Sequence, residues 1–277
     1  MSGFTYTLVL ASILGAGTTA PDLTALTPNQ RVVFGKVVGE EFCDCTSSLS
    51  LAGCLDLRKD CRMAHHLAEI VFEQALLNRS SDQILGTLSN RVFAPFCGPQ
   101  KKNLTPGLPF KGNPDAPVTL IEFADFRCPH CKTQAPALKT FARQYAQSVK
   151  VIFVPFPLND HPLSMAASEA LLAANAQGRF WEMHDLLFAH PDGNFDRPTL
   201  IKIAKKAKLK LKQFKRDLKE HRYRDQVSEL KALGLRAGIT GTPSFFMNGR
   251  PFVPDSTTMT LARRLEMELD RGLGTCQ

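Results

Sequence analysis

The clearest hydrophobic pattern lies near the middle of the chain. Val118-Thr119-Leu120-Ile121-Glu122-Phe123 is a nearly continuous apolar run, as expected of a strand buried on both faces. Beyond a short break, Leu138, Phe141, Ala142 and Tyr145 fall on one helical stripe. This predicts a helix from Pro129 to about Gln147, kinked at Pro136. Val149 to Val154 forms the next strand, parallel to the first through a right-handed crossover. From Pro157 to Arg236 the pattern is helical. Candidate helices cover Leu163–Asn175, Phe180–Phe188, Pro198–Ala207, Leu211–Lys219 and Tyr223–Leu233. The stretch is too long for a plain crossover and predicts an inserted helical lid. Trp181, Met183, Leu187 and Phe188 are stripe residues that suit either a groove or the core. Asn248-Gly249 predicts a hairpin turn between Phe245-Phe246-Met247 and Pro251-Phe252-Val253. Ser256 then caps a terminal helix reaching about Asp270.

The amino-terminal third has a different texture. Leu8 to Leu14 is a short apolar core followed by small residues, Gly15 to Ala20. Residues 1–20 therefore suggest a secretory signal, too short to span a bilayer. Residues 27–96 form a separate module. Thr27-Pro28-Asn29-Gln30 is a capping box that opens a helix to about Glu41. Cys43-Asp44-Cys45 begins a Ser-rich loop bracketed by Cys54 and Cys61. A helix is predicted from about Arg58 to Leu77, and a third, capped by Ser80, from Asp82 to about Asn90. His65 and His66 are expected on the helix surface. Residues 97–114 are rich in Pro and Gly and predict a linker.

Candidate chemistry sits between the first strand and its helix. Cys128-Pro129-His130-Cys131 places a C-x-x-C where a strand hands over to a helix, the setting of a redox pair and not of half a zinc site. The helix dipole and free N–H groups at a helix start favour thiolate. Cys128 is expected to be that nucleophile and to be exposed. Cys131, one turn in and more buried, is expected to resolve the mixed disulfide. His130 should lower the Cys128 pKa further. Glu122 interrupts the apolar run. It is either a side chain escaping to solvent or a buried carboxylate that shuttles the proton of Cys131. Asp125 suits a turn before the motif.

These residues resemble the DsbA family of disulfide oxidoreductases. The similarity covers about residues 112–272 and rests on Cys128-Pro129-His130-Cys131, on Gly241-Thr242-Pro243-Ser244-Phe245-Phe246-Met247-Asn248-Gly249, and on the helical string from Gln177 to Phe188. The resemblance implies an α/β thioredoxin fold at residues 115–275, with a helical insertion at about 158–236. It also implies a cis Thr242–Pro243 loop against the sulfurs that pairs with substrate. Catalytic candidates are thus Cys128, Cys131, His130, Pro243 and Glu122, with Thr242 and Pro243 binding substrate. No metal and no cofactor beyond the Cys128–Cys131 disulfide is expected.

The N-terminal module is expected to be all-helical and cysteine-bearing. From Ala64-His65-His66-Leu67-Ala68 through Asn78–Leu85 to Arg91-Val92 it resembles the helical domain of the CcmH family, which reduces thiols in cytochrome c maturation. It departs in carrying Cys43-Asp44-Cys45 where that family has C-x-x-C. Cys43, Cys45, Cys54 and Cys61 fit structural disulfides, a second redox relay, or a metal site with His65 or His66. Cys97 and Cys276 flank the catalytic domain and could pair. The net charge of +8 gathers at Lys202–Arg224, which reads as a solvated face; no nucleic-acid partner is expected. The expected function is extracytoplasmic, in the periplasm or beyond: disulfide donation to unfolded, cysteine-containing exported proteins, with a membrane redox partner for recycling. The alternatives are an isomerase or reductase with a dedicated partner, and a thiol-based metal or cytochrome-maturation factor.

Overall fold

The computed structural model describes residues 21–43, 46–57, 61–88, 104, 107–252 and 258–270. The predicted signal at 1–20, Cys45, Cys97, Ser256 and Cys276 lie outside them. The chain divides into two compact units, one of residues 1–90 with 270–277 and one of residues 91–269.

The first unit is mainly helical. Helix α1, Pro28–Glu40, begins with the expected capping box: Thr27 Oγ1 accepts from Gln30 N, and Gln30 Oε1 accepts from Thr27 N. The Ser-rich stretch is not simply a loop. Phe42–Cys43 (β1) pairs antiparallel with Thr46–Ser50 (β2). The helix expected from Arg58 to Leu77 is α3 at Arg62–Leu76, and Leu51–Leu57, within the stretch expected as loop, forms a further helix, α2. Helix α4, Ser81–Thr87, carries a second capping box from Ser80. His65 and His66, expected on the surface, are buried at 8% exposure each; α1, α2 and α4 all pack against α3. Cys54 and Cys61 are disulfide-bonded.

The second unit is built on a five-stranded sheet. Its strands are β3 (Phe110–Lys111), β4 (Val118–Ala124), β5 (Val149–Pro155), β6 (Ser244–Met247) and β7 (Arg250–Phe252), in the order β3-β5-β4-β6-β7. β4 and β5 are parallel and joined through helix α5, Pro129–Gln144, which continues through Pro136. β3 falls where a linker was expected and pairs antiparallel with β5 at the sheet edge. Gly112 explains the sharp turn that follows: at φ +102° a Cβ would lie 2.0 Å from the Val149 carbonyl oxygen. The β6–β7 turn at Asn248-Gly249 has φ of 48° and 75°, as a two-residue hairpin of this type requires.

Alternation along β4 divides the core. Val118 and Leu120 join Leu138 and Phe141 of α5 and Leu261 and Leu265 of helix α11, Thr258–Asp270. Ile121 and Phe123 join the opposite cluster, filled from the insertion. That insertion comprises α6 (Ser164–Asn175), α7 (Phe180–Phe188), α8 (Arg197–Lys206), α9 (Leu211–Lys219) and α10 (Arg224–Arg236). Met183, Leu187 and Phe188 belong to this core, with Trp181 half-buried at its edge. Phe126 packs among Phe153, Phe188 and Phe195, with ring centroids at 5.2, 4.8 and 6.4 Å. This aromatic contact fixes the chain just before Cys128.

Candidate active site

Cys128 ends the loop after β4 and serves as the N-cap of α5, with φ −68° and ψ 120°. Pro129 occupies the first helical position, where a missing N–H removes no helical bond. The two cysteines are not joined in a disulfide in this structure. Cys128 is less exposed than the sequence suggests, at 4%, because the Thr242–Pro243 loop covers it; Cys131 is at 0%. The Thr242–Pro243 bond is cis. Cys128 Sγ lies 3.3 Å from the Thr242 carbonyl oxygen, to which it donates when protonated, so residues 114 apart in sequence meet at the sulfur.

The two sulfurs are electrostatically unlike. The Cys131 thiol donates to Cys128 and is the chief reason that the Cys128 pKa falls to about 5, against the opposing effect of burial. Thr242 and the backbone N–H groups of Cys131 and His130 add to the lowering. The Thr242 hydroxyl is buried and has no hydrogen-bond partner among the described residues, which leaves it available to the sulfur. His130 therefore contributes through its amide; its imidazole is exposed and is not among the groups that hold the sulfur. Cys131 is pushed far up, first by burial and then by its bond to Cys128. A proton is thus held at Cys131 while Cys128 carries the charge.

Glu122 is the other displaced group. It lies in β4, paired in register with Phe153 and Phe245, at 1% exposure, and burial raises its pKa to about 8. Its Oε1 has no hydrogen-bond partner among the described residues. The carboxyl is therefore protonated at neutral pH, and ionising it strains the fold. Because the folded pKa lies above the unfolded one, the stability penalty is absent below about pH 4.5 and grows as pH rises toward 8. Glu122→Gln is expected to stabilise the chain at pH 7 by about 2–3 kcal/mol and by little at pH 4.5. Denaturant unfolding at the two pH values measures the difference.

Asp125 does more than turn the chain. It is 1% exposed, and its Oδ1 accepts from Arg127 N at 2.7 Å and Ser164 Oγ at 2.6 Å. Its Oδ2 accepts from Leu158 N at 2.7 Å and lies 3.1 Å from His161 Nδ1. Its carbonyl accepts from Cys128 N at 3.1 Å. Arg127 donates to the Pro162 carbonyl at 2.6 Å, and Lys132 Nζ donates to the carbonyls of His190 and Pro191 at 2.7 Å each. The C-x-x-C is thereby tied to the insertion on two sides. The sequence offers no signal for this role, since Leu158 and Ser164, which hold the Asp125 carboxylate, lie 33 and 39 residues away.

A strand–C-x-x-C–helix facing a cis-proline loop on a central sheet defines a dithiol protein of the thioredoxin fold. Residues 105–266 match the family model described as thioredoxin, and the chain belongs to that family. The probable disulfide bond formation protein D of Bacillus cereus is 30% identical over 168 residues, covering 57% of this chain and 77% of that one. The crystal structure of oxidised BdbD from Bacillus subtilis aligns with a TM-score of 0.54 at 26% identity, over 59% of this chain and 94% of that one. The Na(+)/H(+) antiporter NhaA 3 of Salinispora tropica is 40% identical over 142 residues. The alignment spans 50% of this chain but 21% of the antiporter. Among the described residues here, no helix is long and apolar enough to cross a membrane.

Proposed function

We propose that this chain is an extracytoplasmic thiol–disulfide oxidoreductase that donates the Cys128–Cys131 disulfide to cysteine-containing exported proteins. The observation that carries this reading is the opposed displacement of the two sulfurs, Cys128 down to about 5 and Cys131 far up. In the oxidised protein a substrate thiolate attacks Cys128 Sγ, the more accessible sulfur. The Cys128–Cys131 bond breaks, a mixed disulfide forms, and Cys131 leaves and takes a proton. Glu122, protonated at neutral pH and buried in β4, is our candidate source of that proton. A second substrate thiol then attacks the substrate sulfur of the mixed disulfide. Cys128 leaves readily, because a low-pKa thiol is the better leaving group. The substrate loses two electrons and the sulfur pair gains them, so no further cofactor is required.

Thr242 and Pro243 complete the reading as the substrate loop. Their backbone stands at the sulfur and can pair with an extended peptide. Disulfide-bonded Cys54 and Cys61 support an oxidising compartment, as does the apolar run Leu8–Leu14. The Bacillus cereus relative is a probable disulfide bond formation protein, which favours donation over reduction. A membrane redox partner would return the pair to the disulfide. The test is catalytic oxidation of a reduced, denatured, disulfide-requiring protein with glutathione disulfide as terminal oxidant. Recovery of native activity well above the glutathione background is expected; recovery at the background rate would refute donation.

A further inference from the structure

The segment gripped by the active-site loop contains a strained residue. Leu163 has φ 67° and ψ −1°, left-handed backbone that places Cβ against the following carbonyl. Glycine takes this conformation freely, and asparagine tolerates it. Of the non-glycine residues with positive φ among those described, Asn78, Lys208, His221 and Asn248 are polar, and Leu163 alone is apolar. It is also 42% exposed, so burial does not offset the strain. The contacts on either side explain how the conformation persists. Pro162 is held through its carbonyl by Arg127, which adjoins Cys128, and Ser164 is held by the buried Asp125 carboxylate. The active-site loop thus fixes both neighbours of Leu163 and leaves its side chain on the surface. A turn alone would be better served by glycine. What leucine adds is apolar surface beside the loop that carries the nucleophile.

We propose that Leu163 is a specificity-determining residue, an apolar contact for the substrate segment flanking the cysteine that attacks Cys128. The inference rests on the disulfide-donor reading and adds to it a preference for cysteines next to apolar residues. Such cysteines are exposed in an unfolded chain and covered in a folded one, so the contact would favour substrates that still need their disulfides.

The test uses the full chain and two synthetic dithiol peptides, identical except for leucine or glycine beside the attacking cysteine. Leu163→Gly relieves the strain and removes the contact, so its effects on stability and on selectivity should have opposite signs. Its melting temperature is expected to equal or exceed that of the wild type. Its ratio of kcat/KM for the leucine peptide over the glycine peptide is expected to fall roughly tenfold. Leu163→Asn, which also suits the left-handed region, should lose the same selectivity, and Leu163→Met should retain it. An unchanged ratio in Leu163→Gly would overturn the inference and leave disulfide donation standing. Equal losses on both peptides with a lowered melting temperature would also overturn it, since that is what a structural residue gives. Oxidation of neither peptide by the wild type would overturn the donor reading and this inference together.

Discussion

Cys131→Ser is expected to accumulate mixed disulfides through Cys128, and Cys128→Ser to accumulate almost none. The expectation follows from the asymmetry of the site. Only Cys128 is held as a thiolate at neutral pH, with its pKa near 5. At pH 7 a pKa of 5 leaves about 99% of the group charged, whereas an ordinary thiol near 8.5 has only a few per cent charged. Attack on a partner's disulfide is therefore confined to Cys128. Resolution of the product requires Cys131, which lies beneath it at 0% exposure and cannot be reached by a bulky partner. Serine at 131 keeps a hydroxyl donor for the Cys128 sulfur but cannot form the second S–S bond. Turnover of disulfide exchange should fall by at least about a thousandfold in either variant, the loss expected when a nucleophile or its essential partner is removed. Non-reducing electrophoresis with mass spectrometry reads the trapped species. Equal trapping by both variants would contradict the assigned roles.

The second large effect is thermodynamic. The Cys128 thiolate is stabilised in the folded, reduced protein and is absent from the disulfide form. Its folded pKa lies below its unfolded one. This contribution is therefore fully present above the unfolded thiol value and is lost as pH falls through about 5. Cys131 has the opposite shift, and its penalty begins only as pH rises past the ordinary thiol range. Between about pH 5 and 8 the Cys128 contribution is not offset by Cys131. At pH 7 it amounts to about 3 kcal/mol, corresponding to about 60 mV toward an oxidising potential. Cys131→Ala removes the largest cause of the lowered pKa and should raise it toward the ordinary range. Thiolate absorbance against pH measures this directly. A Cys128 pKa near 5 in Cys131→Ala would place the cause elsewhere, in Thr242 and the amides of residues 130 and 131.

Much of this site is legible in the sequence. The strand from Val118, the helix from Pro129 and the C-x-x-C between them are local patterns, and each local preference agrees with the fold. The helices of the insertion follow the same logic: Phe180–Phe188 and Leu211–Lys219 occupy the predicted spans because their apolar spacing continues over several turns. What was not legible depends on distant partners. β3 is two residues long within a Pro- and Gly-rich stretch, and only its pairing with Val151 and Ile152 makes it a strand. Asp125 has the residue type of a turn, yet it is the anchor of the site because Leu158 and Ser164 come to it. The imidazole of His130 suggests the control of Cys128; the Cys131 thiol, Thr242 and the backbone N–H groups supply it instead, against the effect of burial, and contacts of this kind cannot be read from spacing.

The central claim is that the Cys128–Cys131 pair is an oxidant because the charged sulfur stabilises its reduced form. Equilibration of the full chain with glutathione buffers, with Cys128–Cys131 followed by selective alkylation, gives its reduction potential. The account predicts a value less negative than about −200 mV, toward the range of protein disulfide isomerase and DsbA; a value near −270 mV, that of a thioredoxin-type reductant, would contradict it.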